Sequence, residues 1–298
     1  MSWELPDRIS VREVGPRDGL QNEEPVPTDA KVALLDRLSG TGVQRIEAVS
    51  FVRPSAIPQM ADADEVWKRA SRVPSVRYSA LVPNLRGAVR ALDAGFTELE
   101  AVVSASETHN RKNVNRSTGQ SLDEIAEIIS VAHERGATVQ VIVSTAWGCP
   151  YEGDVPVERV VSVAGRALAD GADSASFGDT TGMATPTRVR ALVGAFRSAH
   201  PETALNLHFH NTRGTGLANV LAALELGVAD FDASVGGLGG CPYAPGATGN
   251  IATEELVHMV EDMGVATGID LEAMIAAAAQ AEGIAAFNEK RQPQWPGE

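Results

Sequence analysis

Two periodicities take turns along this chain. Short apolar runs rich in β-branched residues are followed by longer segments in which apolar residues recur every three or four positions. Eight of the short runs read as strands: Ile9 to Val14, Arg45 to Phe51, Val76 to Val82, Glu98 to Ser104, Thr138 to Ser144, Ser174 to Gly178, Leu205 to Phe209 and Phe231 to Val235. The segments between them carry helix punctuation. Thr28 precedes Asp29, Pro83-Asn84 precedes Leu85, Ser121 stands three residues before Glu124 as a capping box, Pro156 sits near the start of the fifth helix, and Thr185-Pro186 opens the sixth. Glycines close several of these segments, at Gly42, Gly95, Gly136, Gly171 and Gly227. Eight such units predict an α/β fold, a (β/α)8 TIM barrel over about residues 8–265. A doubly wound open sheet is the competing architecture, but it wants a Gly-rich turn after its first strand and none follows here. The tail, residues 268–298, holds a helical stretch from Leu271 to Phe287 whose alanines allow close packing against the barrel. No linker or low-complexity stretch divides the chain, so one domain is expected over residues 1–298.

Composition adds exclusions. A net charge of −14 argues against nucleic acid or an anionic membrane surface as the main partner, because neither is held by an acidic protein. An anionic substrate must then meet local positive charge, from a metal or a few arginines. The two cysteines, Cys149 and Cys241, are too few for a disulfide framework and point to a reducing, cytoplasmic setting. The opening Met-Ser-Trp-Glu-Leu-Pro-Asp has neither a basic stretch nor an apolar core of the kind that directs export, and no run approaches the roughly 20 apolar residues that span a bilayer.

In a barrel of this kind functional side chains gather at the C-terminal ends of the strands. Polar residues stand there: Arg17-Asp18 after the first strand, Glu47 and Ser50 on the second, Ser176 and Asp179 at the sixth, and Asn250 after the eighth. The seventh ends in Leu207-His208-Phe209-His210-Asn211, where two histidines at i and i+2 share one face of a strand. One carboxylate, two imidazoles and an amide oxygen make a mixed N/O site that favours Mg²⁺ or Mn²⁺ and admits Zn²⁺.

The run Val14-Gly15-Pro16-Arg17-Asp18-Gly19-Leu20-Gln21-Asn22-Glu23 resembles the signature of the 3-hydroxy-3-methylglutaryl-CoA lyases, metal-dependent members of the DRE-TIM superfamily. Ile46-Glu47, Ser50-Phe51-Val52, Pro58-Gln59-Met60, Gly148-Cys149-Pro150-Tyr151-Glu152-Gly153 and Gly178-Asp179-Thr180 extend the likeness. Its most specific stretch is Gly236-Gly237-Leu238-Gly239-Gly240-Cys241-Pro242-Tyr243-Ala244, followed by Gly249-Asn250 and Ala252-Thr253-Glu254. The resemblance implies retro-Claisen cleavage of a branched 3-hydroxyacyl-CoA thioester to acetyl-CoA and a keto acid such as acetoacetate. It implies Asp18, His208, His210 and Asn250 as ligands of a divalent cation, Mg²⁺ or Mn²⁺, with Asp18 and His208 also close to the chemistry. Arg17 is implied as the partner of the enolate, Cys241 as the group near substrate on a Gly-rich loop, and Glu47 and Asp179 as carboxylates that hold these groups in place. It also implies a homodimer or higher homo-oligomer.

Other residues read more plainly. Cys149 is expected to pack, and His109, in an expected loop from Glu107 to Asn113, to be solvated surface, with Arg111 and Lys112 beside it as candidates for CoA phosphates. Well-known lyases of the family carry Asp-Thr-Tyr after the second histidine, where this chain has Asn211-Thr212-Arg213; some carry lysine in place of Glu24, and the loop from Arg53 to Ile57 differs. Arg213 and Arg53 are therefore expected to bear on a different acyl or CoA contact. Rival readings are a lyase for another thioester such as citramalyl-CoA, a condensing synthase, disfavoured by the short C-terminal region, and a metal-binding barrel without activity.

Overall fold

In a computed structural model, which describes residues 4–240 and 249–289, eight parallel strands close on themselves in chain order, β1 pairing with both β2 and β8. The strands are β1 (Ser10–Glu13), β2 (Arg45–Ser50), β3 (Arg77–Val82), β4 (Glu98–Ser104), β5 (Thr138–Ser144), β6 (Ser174–Gly178), β7 (Leu205–His208) and β8 (Asp230–Ala233). Among the described residues ten α-helices accompany them: α1 (Thr28–Ser39), α2 (Ala63–Arg69), α3 (Leu85–Asp93), α4 (Glu107–Val114), α5 (Thr118–Glu134), α6 (Val157–Ala169), α7 (Pro186–Ala199), α8 (Gly216–Leu224), α9 (Thr253–Asp262) and α10 (Leu271–Glu289). The expected barrel and its appended helix are both present. Among the described residues no helix is long and apolar enough to cross a membrane.

Strand alternation sorts the side chains into two environments. The outward set is apolar and meets the helices: Val139, Val141 and Val143 on β5, Leu205 and Leu207 on β7, and Phe231 on β8 are all buried. Helix α7 answers with Val189, Leu192, Val193 and Phe196, spaced three and four apart and fully buried, and Phe196 meets Phe177 of β6 edge-on at 5.0 Å. Burying one such aromatic contributes roughly 2–3 kcal/mol. The inward face carries a polar layer where branched aliphatic residues usually fill such a barrel, with Leu81, Val102 and Ile142 above it at the cavity. Arg12, Glu47, Ser79, Glu100, Gln140, Ser176, Asn206 and Asp232 come one from each strand, and all are at least nine-tenths buried.

Two local expectations are corrected. The capping box of α5 is Ser117 with Gln120, not Ser121 with Glu124; Ser121 lies one turn inside the helix, where its hydroxyl accepts from Asn110 Nδ2 at 2.8 Å. The expected loop from Glu107 is helix α4, started by Ser106, whose Oγ accepts from the His109 N–H at 3.1 Å.

Candidate metal centre and active-site cavity

At the C-terminal ends of the strands opens a cavity of about 480 Å³, of a size that holds a small-molecule substrate. Arg17, Asp18, His208, His210 and Asp232 line one side; Ser50, Ser144, Thr180 and His109 line others. The chain turns sharply to present the first pair. After β1, Gly15–Gly19 forms a single π-helical turn in which the Asp18 and Gly19 N–H groups both donate to the Val14 carbonyl, at 2.8 and 3.1 Å. Glycine is needed at position 15, because a Cβ there would lie 2.7 Å from Glu13 Oε1.

Arg17 is buried between two carboxylates. Its Nε donates to Glu47 Oε2 at 2.7 Å, its second terminal nitrogen reaches the same oxygen at 2.6 Å, and its first donates to Asp18 Oδ1 at 2.7 Å. Burial pulls the guanidinium down, and the charges of Glu47 and Asp18 outweigh it, so Arg17 is held in its charged form. Glu47 reaches this position where the β2–β3 register shifts between Glu47 and Val49. Burial raises the Glu47 carboxyl against the charges of Arg17 and Arg12.

Strand β7 ends one residue earlier than expected, at His208, and His210 follows it on a bridge opposite Asn250. The two imidazoles still face one place, ring centres 5.2 Å apart. One oxygen of Asp18 and one ring nitrogen from each histidine lie within 4.8 Å of one another. That is no farther than two donor atoms can stand across one cation at bond lengths of about 2.0–2.4 Å. Asn250 Nδ2 donates to Asp18 Oδ2 and to the Leu238 carbonyl, both at 2.9 Å, while its Oδ1 is buried without a hydrogen-bond partner among the described residues. Electrostatics agree with the geometry. Burial and the neighbouring His208 lower His210 to about 3, so its ring is neutral and keeps a lone pair to offer. Burial pushes Asp18 up, but Arg17, both histidines and the Asn250 hydrogen bond bring it down to about 2, so it stays a carboxylate. The donor set therefore fits a divalent cation.

The structure thus brings Arg17, Asp18, Glu47, His208, His210 and Asn250 together. Asp179 stands apart from the cavity wall: its N–H donates to the His208 carbonyl at 2.9 Å, and its Oδ1 accepts from the Met183 and Ala184 N–H groups at 2.8 and 3.0 Å. Burial raises its carboxyl to about 6, against those two hydrogen bonds. Cys241 lies outside the described residues. Cys149 is buried, its Sγ 2.9 Å from Ser106 Oγ.

Arg213, expected at an acyl or CoA contact, is engaged with backbone instead. Among the described residues it is not on the cavity wall, and its guanidinium donates at 2.7 and 2.8 Å to the carbonyls of Thr181 and Gly182, tying the loop after β7 to the loop after β6. Arg53 and Glu24 are exposed and likewise absent from the cavity wall. His109 moves the other way, from expected surface to a cavity-lining ring 4% exposed, lowered by burial. Beside it, Lys112 Nζ sits 4.7 Å over the ring of Tyr151.

Sequence reading also missed what lies beneath the site. Asp232 accepts from Arg12 through both oxygens at 2.8 Å, and from Asn206 at 2.9 Å, and faces His208 Nδ1 at 3.2 Å. Arg12 also pairs with Glu100 and donates to Gln140 at 2.9 Å. The available signal was a charged or amide residue at alternate positions of otherwise apolar strands.

Comparison with known proteins agrees with this geometry. Residues 8–280 match the HMGL-like family. The chain belongs to the HMGL-like family. It is 46% identical over 274 residues to hydroxymethylglutaryl-CoA lyase YngG of Bacillus subtilis (strain 168), covering 92% of each chain. Among solved structures, an HMG-CoA lyase of Bacillus subtilis superimposes with a TM-score of 0.93 at 44% identity, covering 97% of both chains. An HMG-CoA lyase of Acinetobacter baumannii in complex with coenzyme A and 3-methylmalate does so with a TM-score of 0.89 at 46% identity, covering 94% of this chain and 92% of that one. Carboxyl transferase domains of Rhizobium etli pyruvate carboxylase share the fold at 16% identity and a TM-score of 0.69.

Proposed function

We propose that this chain is a divalent-cation-dependent carbon–carbon lyase that cleaves 3-hydroxy-3-methylglutaryl-CoA, or a closely similar thioester, to acetyl-CoA and acetoacetate. The observation that carries the reading is the Asp18–His208–His210 donor set beside the Arg17 fork, both on the wall of one cavity in a chain of this family. Asp18, His208, His210 and Asn250 would hold the cation, Mg²⁺ or Mn²⁺ from their N/O character, and when bound it would make a substrate hydroxyl easier to deprotonate.

The chain's own groups do the rest. Three of the five N–H groups of Arg17 hold Glu47 and Asp18, which fixes the plane of the guanidinium. Its remaining donors are aimed by that clamp at the thioester oxygen, where charge develops as the carbon–carbon bond breaks and the enolate forms. Glu47 therefore acts on Arg17 rather than on substrate. Asp18, held near 2, is a poor base, so the hydroxyl proton leaves to solvent in the open cavity. Cys241, outside the described residues, is the proposed source of the proton that the enolate carbon takes up to become the methyl group of acetyl-CoA, and solvent returns one to the Cys241 thiolate after turnover. The thioester's CoA tail would leave the cavity past His109, Asn113 and the cations of α4, Arg111 and Lys112. A cytoplasmic setting and a homodimer or higher homo-oligomer complete the reading.

The deciding experiment offers hydroxymethylglutaryl-CoA and citramalyl-CoA with Mn²⁺, detecting acetoacetate and pyruvate separately. Acetyl-CoA with acetoacetate is expected, and turnover is expected to vanish in His210→Ala. Pyruvate release alone would move the chain to citramalyl-CoA, and no cleavage of either thioester would sink the assignment.

A further inference from the structure

His208 is gripped from below by a group outside the four proposed ligands. On its upper side Nε2 stands 4.0 Å from Asp18 Oδ2, the spacing of two donors around one ion. On its lower side Nδ1 faces Asp232 Oδ2 at 3.2 Å. Asp232 is 4% exposed and fully occupied: Arg12 closes on it through Nε and a terminal nitrogen, each at 2.8 Å, and Asn206 Nδ2 donates to the same carboxylate at 2.9 Å. Arg12 is itself locked by Glu100 and Gln140, so the clamp has no slack.

A carboxylate held by a bidentate guanidinium has no proton to give, and Nδ1 must therefore be the donor in that contact. In the neutral ring that a cation requires, a proton at Nδ1 leaves Nε2 bare, and Nε2 is the nitrogen that faces Asp18.

We infer that Asp232, clamped by Arg12 and Asn206, is a positioning residue that fixes His208 in its Nδ1–H form and sets how tightly the Asp18–His208–His210 set holds a divalent cation. The inference rests on the metal-dependent reading above. Outer partners of metal-bound histidines typically change metal affinity by about 10–100-fold, the range expected here. Apolar filling of the barrel, the common solution, cannot provide this acceptor, which gives the buried Arg12–Asp232 pair a purpose other than stability.

Two measurements on the full chain test it. The first is Mn²⁺ affinity, from the EPR signal of free Mn²⁺, for the native chain and Asp232→Asn, with folding checked by circular dichroism. A loss of at least tenfold in the folded variant is expected, and a smaller loss overturns the inference. The second uses the native chain loaded with Mg²⁺ and ¹⁵N-labelled at histidine: the His208 ring, identified by the signals lost in His208→Gln, should carry its proton on Nδ1. A proton on Nε2 overturns the inference, and this measurement decides alone if Asp232→Asn does not fold. Native chain that binds Mn²⁺ and cleaves thioester while Asp232→Asn binds equally well refutes only the role of Asp232. Native chain that binds no Mn²⁺ refutes the metal-dependent reading and this inference with it.

Discussion

Glu13 is the buried carboxyl whose removal should be easiest to read. It has no exposed surface, and burial raises it from an ordinary 4.5 to about 7, against hydrogen bonds from Thr253, Val235 and Gly15 that pull it down. Oε1 accepts the Gly15 and Val235 N–H groups at 2.8 and 2.9 Å, and Oε2 takes the Thr253 hydroxyl at 2.6 Å. One side chain thus ties together the turn that carries Arg17 and Asp18, the segment after β8, and the start of α9. In Glu13→Gln the amide oxygen can keep both N–H donors, and the amide nitrogen can donate to Thr253 once that hydroxyl turns. The contacts survive and the titration disappears.

Between pH 4.5 and 7 the folded chain keeps a proton on Glu13 that the unfolded chain has released, so stability from this group is full below 4.5 and lost as pH rises through 7. A rise from 4.5 to about 7 spans about 2.5 pH units. At about 1.4 kcal/mol per unit the loss is about 3 kcal/mol. Urea unfolding of both chains from pH 5 to pH 8 measures it, and the difference between them isolates Glu13 from every other titrating group. Native stability should fall relative to Glu13→Gln by about 2.5 kcal/mol across that range, the rest of the loss lying below pH 5. Profiles that stay parallel to within about 0.5 kcal/mol would show that Glu13 is not a proton-holding group, and the reasoning from burial would fail.

Arg17→Lys keeps a positive charge but loses the fork that spans Glu47 and Asp18; kcat should drop roughly 100- to 1,000-fold with a much smaller change in KM, and a drop under about tenfold would remove Arg17 from the enolate. Arg213→Met deletes two hydrogen bonds to the Thr181 and Gly182 carbonyls at an exposed position, so a stability loss of roughly 1–2 kcal/mol by urea unfolding is expected, with the ranking of thioester substrates unmoved. A reordered ranking would restore Arg213 as a substrate contact.

Local patterns were legible in the sequence, and closures between distant strands were not. Each strand was found because its outward face is apolar and its length is bounded by turn residues. His208 and His210 were found as a pair because their relation is a matter of two residues on one chain. Helix α4 stayed hidden because Glu107-Thr108-His109-Asn110-Arg111-Lys112-Asn113 has no apolar stripe; it forms from its Ser106 cap and sits on β4, with His109 and Asn110 turned inward. Ser121-x-x-Glu124 and Ser117-x-x-Gln120 satisfy the same capping rule, and only packing chooses between them. Asp18 and Asn250 joined the histidines because both follow strand ends on one rim of the barrel, and the family resemblance then marked the four as ligands. Asp232 had no such help: its partner Arg12 is 220 residues away, and they meet because β1 closes the barrel against β8.

The polar interior that this closure creates has a charge balance that bears on the chemistry. Arg12 and Arg17 stand against Asp18, Glu47, Glu100 and Asp232 in one contiguous buried set, a formal charge of −2 before the histidines are counted. The Arg45–Asp230 pair below it adds nothing. Burying unbalanced carboxylates is costly, and well-packed aliphatic side chains of similar volume would serve stability at least as well. A divalent cation held by Asp18, His208 and His210 would cancel that surplus at the top of the set, beside Arg17, which also lines the cavity. An anionic thioester entering there responds to this local field and not to the −14 of the whole chain. Arg12 and Asp232 thus shape the same field from below that Arg17 presents from above.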